Sequence, residues 1–357
     1  MSEVTPNQNG HGLMIESVEF RNFKVLRNAK LPLGWFTLLV GPNGSGKSTA
    51  IQALEAVGQS QHLPPSHFAS AGSRAEKLEV VVRWRMEADG LVVLDSDGDM
   101  STRSRWYADR TELVFERGAG EKLSERSPLV QAALEKLRRI RAYSLDAKAI
   151  AAPARLEPRM ELQPDGRNLA AVLDQIRDRS SEHFEALNDE LGRWLPEFDS
   201  VAFDLTESGT KSLQLRTRQG KHLIPAYNLS QGTLIAFAVL TLAYLPTPPS
   251  MVCLEEPDRG IHPRLLRRVR DALYRLSYPQ KFGDSREPAQ VLATTHSPYF
   301  LDLFREHPEE VVIAHRTGAD AVFEPLAERG DIKEILEGTH LGEAWYSGVL
   351  GGVPPEE

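Results

Sequence analysis

Residues 41–49 read GPNGSGKST, with Gly41, Gly46, Lys47 and Ser48 at the spacing G-x-x-x-x-G-K-[ST]. The apolar run WFTLLV at 35–40 precedes this stretch and AIQALEAV at 50–57 follows it, so the flanks predict a short buried strand before the loop and a helix after it. A loop that wraps a triphosphate must turn several backbone N–H groups inward. Gly41, Gly44 and Gly46 stand where a Cβ would block close approach or forbid the backbone dihedrals. The helix that starts near Lys47 adds its positive N-terminal end. Lys47 is then expected to neutralise the β- and γ-phosphates, Ser48 to ligate Mg²⁺, and Thr49 to meet the α-phosphate. Asn43 and Ser45 belong to the same expected nucleotide-binding set.

A chain of 357 residues with 41% hydrophobic content can hold two domains or one large α/β domain with insertions. The net charge of −8 argues against a generally basic nucleic-acid coat, while a local basic patch stays open. One cysteine, Cys253, lies in an apolar run, which excludes a disulfide framework and a cysteine-based metal site. This fits a reducing, cytoplasmic location. The polar N-terminus carries no basic region followed by an apolar segment, so no signal peptide is expected. The longest apolar run, LIAFAVLTLAYL at 234–245, is too short to span a bilayer and ends at Pro246. It reads as a buried helix, and no membrane contact is expected.

Along the chain, residues 1–12 are predicted to be a disordered tail. Alternation predicts strands from Met14 onward, then a three-run antiparallel layer at 78–86, 91–94 and 111–116, with Val80, Val82, Trp84 and Met86 on one face. Phe23 is more readily a core residue than an adenine stack. From Pro128 to Trp194 the pattern becomes helical, with stripes Leu169, Leu173, Ile176 and Phe184, Leu187, Leu191, Trp194. No heptad is sustained long enough for coiled-coil arms. Residues 201–227 return to alternation. The domain reading is an N-terminal ATP-binding lobe at 13–127, a helical and β-hairpin insertion at 128–228, and a C-terminal lobe at 229–357.

Apolar residues 251–254 run into Glu255, Glu256 and Pro257, placing two carboxylates at a strand tip. In a parallel sheet such a tip faces the phosphate loop. Glu255 is assigned to the metal and Glu256 to orienting the water that attacks the γ-phosphorus. A second buried run, 290–294, ends in Thr294, Thr295 and His296, and His296 is placed to sense the γ-phosphate. The stretch LSQGT at 229–233 puts a capping Ser230 and Gly232 at the start of the apolar helix, a candidate anion site.

The order GPNGSGKST, LSQGT, VCLEEPDRGIHP, TTHS resembles the heads of ABC-type ATPases, specifically the RecF, SMC and OLD-like branch. FRNFKVLRNAKLPL and the EEP-x-x-G-I-H-P run look like the small stand-alone AAA-type ATPases grouped with it. The resemblance covers most of residues 14–300 and implies an α/β P-loop NTPase of ABC-ATPase head type: a mixed sheet, an antiparallel β layer and an inserted helical subdomain. It further implies a head-to-tail homodimer with two ATP molecules between the subunits. Ser230 and Gly232 of one chain would close on the γ-phosphate held by Lys47 of the other. Glu255 stands where most such heads have Asp, Gln231 and Thr233 replace the usual signature residues, no Q-loop glutamine is evident after the strand expected near Tyr143, and His262 replaces the transporter D-loop Asp.

Two functions follow. The first is an ATP-hydrolysing switch acting on DNA ends or in phage defence. OLD-like relatives carry a Toprim nuclease after the head, but the tail here is too short for one, so the effector is expected on a separate chain. The second is a slow module that uses ATP only to dimerise and display a surface. DNA contacts could come from Arg264, Arg267, Arg268 and Arg270, or from Arg138, Arg139 and Arg141.

Overall fold

A computed structural model describes residues 12–59, 63–71, 77–88, 91–92, 100–107, 109–118, 120–158, 160–206 and 209–351. Most of the expected N-terminal tail and part of the 91–94 run lie outside these residues. At the centre is a six-stranded sheet in the order Asp320–Pro325, Val311–Thr317, Phe36–Val40, Gln290–Thr295, Met251–Glu255, Ile140–Tyr143. Every pairing in it is parallel except that of the two strands from the C-terminal region. Phe36–Val40 is buried throughout, the continuous apolar run expected of a strand covered on both faces.

Its side chains divide between two cores. Leu39 joins Leu292, Cys253 and the buried side of the helix Lys47–Gly58, while Leu38 and Val40 face the helix Gln231–Ala243. Above the first core lies an antiparallel sheet, ordered Leu26–Pro32, Leu13–Phe23, Leu78–Ala88, Met100–Trp106, Thr111–Arg117, Glu121–Lys122, with Leu91–Val92 paired to Leu78–Ala88. The phosphate-loop helix is thus held between two sheets. Gln290 ties them together: its amide donates to the carbonyls of Ile15 (2.8 Å) and Gly34 (3.0 Å) and accepts from Ile15 N–H (2.7 Å).

On the other face, Gln231–Ala243 packs between the sheet, the helix Pro263–Ser277 and a helical insertion formed by Leu169–Arg179 and Ser181–Trp194. Both predicted stripes of that insertion are buried. A small antiparallel sheet, Phe198–Leu205, Lys211–Thr217, Leu223–Pro225, completes it.

The strand expected near Tyr143 is Ile140–Tyr143, which interrupts the helical stretch from Pro128 and forms an edge of the central sheet. Two local expectations differ. Met100–Trp106 is a strand with no apolar alternation; Thr102 and Ser104 are buried beneath it, and Thr102 satisfies Trp84 Nε1 at 2.7 Å. Met86 departs from its stripe and is 36% exposed beside wholly buried Val80 and Val82.

Candidate nucleotide-binding site

The parallel strands all end at one edge of the central sheet. There the loop after Phe36–Val40 turns through Gly44 (φ 77°) and Gly46 (φ 102°) into the helix Lys47–Gly58. Gly46 caps this helix without a side chain, which leaves the first N–H groups free for an anion. The glycines act differently. A Cβ on Gly41 would stand 2.1 Å from the Ala314 carbonyl, and one on Gly46 would meet Leu26 at 2.9 Å. At Gly44 the space is open and the constraint is the positive φ alone.

Lys47 turns its ammonium back on the loop, donating to the Gly41 and Pro42 carbonyls at 2.8 and 2.9 Å. It is 6% exposed, and burial brings its pKa down to about 8 against the pull of Glu256 and Glu255. A buried cation held by two neutral carbonyls, with two carboxylates near, fits a site built for a polyanion and a divalent cation.

One cleft collects Asn43, Gly44, Gly46, Lys47, Ser48 and Thr49 from the loop, Glu255 and Glu256 from one strand end, Thr294 and His296 from the next. Val25 closes it from the turn between the first two strands, and nothing in the sequence distinguished that residue. Phe23 is wholly buried and packs against Phe68, 6.0 Å between centroids. Ser45 is wholly buried beneath the loop, with its N–H donating to the Pro42 carbonyl at 3.3 Å, and neither it nor Gly41 lines the cleft.

Glu256 has φ 46°, a left-handed conformation that costs a non-glycine residue roughly 1 kcal/mol. Its N–H is shared between the Thr294 carbonyl and hydroxyl, both at 3.2 Å. Its Oε1 lies 3.5 Å from His296 Nε2. Desolvation, then the Lys47 charge, lowers the His296 pKa against the opposing Glu256.

Ser230 and Gly232 do not line this cleft. Ser230 is exposed and caps Gln231–Ala243, its Oγ accepting from Thr233 N–H at 3.1 Å. A Cβ on Gly232 would come within 2.2 Å of the Gly260 carbonyl, so the helix start leans on the loop that follows Glu256. His262 caps the next helix, accepting from Arg264 N–H at 3.2 Å.

Several of the arginines considered for DNA are committed elsewhere: Arg139 to the Pro248 carbonyl, Arg141 to Glu161, Arg270 to Asp271 and the Leu303 carbonyl. Arg264 and Arg267 are exposed and form no ion pair among the described residues.

A family model described as "AAA domain, putative AbiEii toxin, Type IV TA system" matches residues 36–302, which takes in the phosphate loop, both glutamates and His296. The chain belongs to this family. As an AAA domain of this kind it is also similar to an OLD nuclease of Thermus scotoductus, 24% identical over 336 residues that cover 82% of this chain and 60% of that protein. The chain therefore spans about 60% of the length of that relative. Among solved structures it is similar to an Smc head bound to the C-terminal winged-helix domain of ScpA (TM-score 0.62, 19% identity, 89% of this chain and 99% of that one). A Pyrococcus furiosus Smc head bound to the C-terminal domain of ScpA follows (TM-score 0.59, 17% identity, 87% and 96%). The fold is that of an SMC-head P-loop NTPase. No helix among the described residues is long and apolar enough to cross a membrane.

Proposed function

We propose that the protein is an ATP-hydrolysing switch that dimerises head to tail around two ATP molecules and signals to an effector on a separate chain. The observation that carries this reading is the division of the motifs. The phosphate loop, Glu255, Glu256 and His296 share one cleft, while Ser230 at the exposed start of its helix lies outside it. A two-fold dimer lets each chain supply one loop and one signature, so both half-sites find a partner.

In this reading the loop N–H groups and Lys47 bind the phosphates, and Lys47 exchanges two carbonyl contacts for charged ones. Ser48 and Glu255 would hold Mg²⁺. That ion, when bound, neutralises charge developing on the β- and γ-phosphates. Glu256 orients the attacking water and accepts its proton, while His296 donates to the γ-phosphate and lies within reach of Glu256. ATP joins the two chains, and hydrolysis releases them.

DNA ends or invading phage nucleic acid as the trigger, and a nuclease as the effector, extend the OLD-like likeness and belong to this proposal. Exposed Arg264 and Arg267, next to the His262 cap, are its candidate phosphate contacts. Steady-state phosphate release by wild type and Glu256→Gln tests the reading. Turnover in the first and its loss in the second support a hydrolase. Equal negligible rates would instead favour a module that uses ATP only to dimerise.

A further inference from the structure

Thr295 is wholly buried, and its hydroxyl is used on both sides of His296. It donates to Asp258 Oδ2 at 2.8 Å and accepts from Ser297 N–H at 2.9 Å. The histidine is therefore bracketed by one hydroxyl whose orientation depends on Asp258. Because the acid accepts, the Thr295 proton points to it and a lone pair is left for the Ser297 amide.

Asp258 sits in the loop that follows Glu256. Its carboxyl is withdrawn from solvent, which pushes its pKa up to about 6, and Oδ1 is buried with no partner among the described residues. Burying a carboxyl this incompletely satisfied costs stability, so a purely structural role is better served by an apolar side chain. The same loop is fixed at two further points. Arg259 donates to the Leu145 carbonyl at 2.6 Å, and the Gly260 carbonyl lies against Gly232 at the start of the signature helix. Gly232, Gly260, Asp258, Thr295 and His296 thus form a short path from that helix to the nucleotide cleft.

We propose that Asp258 is a positioning residue: through the Thr295 hydroxyl it sets the placement of His296 and makes that placement depend on the start of the helix Gln231–Ala243. The inference rests on the reading of His296 as the γ-phosphate contact and of Ser230 and Gly232 as the element that meets the second nucleotide. In a head-to-tail dimer, engagement of the signature at one site would be reported to the histidine of the other. Neither residue needs to touch nucleotide for this.

The test compares Asp258→Ala, Thr295→Val, their double variant and Thr295→Ser with wild type in the full chain. Phosphate release is followed together with the ATP Kd from calorimetry. Both single variants are expected to lose on the order of 10- to 100-fold in kcat, as for a misplaced catalytic group, with Kd within about twofold. The double is expected to be no slower than either single, because the two act through one bond. Thr295→Ser, which keeps the hydroxyl, is expected to stay within about threefold of wild type. Losses that multiply in the double, or a Kd that weakens in step with kcat, would overturn the proposal.

A second readout is independent of turnover. Histidine-labelled, nucleotide-free protein gives a His296 ring resonance assigned by His296→Gln. Asp258→Ala and Thr295→Val are expected to move it to the same new position. An unmoved resonance overturns the positioning role even if the wild type hydrolyses ATP. A wild type without phosphate release refutes the hydrolase reading, while a moved resonance still supports the bracket.

Discussion

His296 Nε2 stands 3.5 Å from Glu256 Oε1, joining the ends of two neighbouring parallel strands across the mouth of the cleft. The carboxylate raises the histidine's pKa, while desolvation and Lys47 both lower it. Glu256→Gln removes that support, so His296 is expected to titrate at a lower pH in the variant than in wild type, read from its ring resonance in nucleotide-free protein. A rise in its midpoint would contradict the arrangement. The sign also fixes a stability trend. A folded-state pKa below the ordinary 6.5 means the unfolded chain binds the proton more readily, so this group's contribution is present above about 6.5 and lost as pH falls through the folded value.

Lys47 gives the second prediction. Its pKa falls from 10.5 to about 8 through burial, so the unfolded chain binds more protons between those values. Nucleotide-free protein should gain stability from this group as pH rises from about 8 to 10.5 and lose it again below. Lys47→Met should therefore raise the melting temperature of the nucleotide-free protein at pH 7, by an amount equivalent to about 1–2 kcal/mol after solvent screening. It should also abolish the added stabilisation that ATP gives wild type. A lower melting temperature without nucleotide would show that the two carbonyl contacts outweigh the desolvation.

Gly41 and Gly44 should separate sterics from dihedral strain. A Cβ at Gly41 meets backbone 2.1 Å away, whereas at Gly44 it meets nothing within 4 Å and only φ 77° opposes it. Gly41→Ala should cost roughly 2–4 kcal/mol because a strand must shift, and Gly44→Ala about 1 kcal/mol. Chemical denaturation of the two variants checks the ranking; an equal cost would mean the Ala314 contact relaxes freely.

How much of this was legible beforehand varied by kind of residue. Phosphate-loop residues and the strand-tip acids carry their chemistry in fixed spacing, and the apolar runs at 36–40 and 251–254 mark two of the parallel strands, so both could be read directly. The strand Met100–Trp106 could not, because polar Thr102 and Ser104 are buried on its inward face, and the partner of Thr102, the Trp84 indole, lies 18 residues away. Ile140–Tyr143 gives a weaker signal, being short and carrying Arg141, which is tolerated at the sheet edge where it pairs with Glu161. Val25 reaches the cleft because Asn22 and Lys24 adopt positive φ (59° and 50°), and no local signal announces such a turn. Asp258 carries no signal in its own stretch, because the hydroxyl that partners it lies 37 residues away.

The central claim is that ATP joins two copies of this chain through the cleft of one and Ser230 of the other. Its most direct measurement is the solution mass of Glu256→Gln by light scattering, with and without Mg-ATP, repeated with Ser230→Arg added. We expect a monomer that doubles in mass on adding ATP, and a monomer throughout once the arginine blocks the helix start. Nucleotide-saturated Glu256→Gln that stays monomeric, or a dimer indifferent to Ser230→Arg, would contradict it.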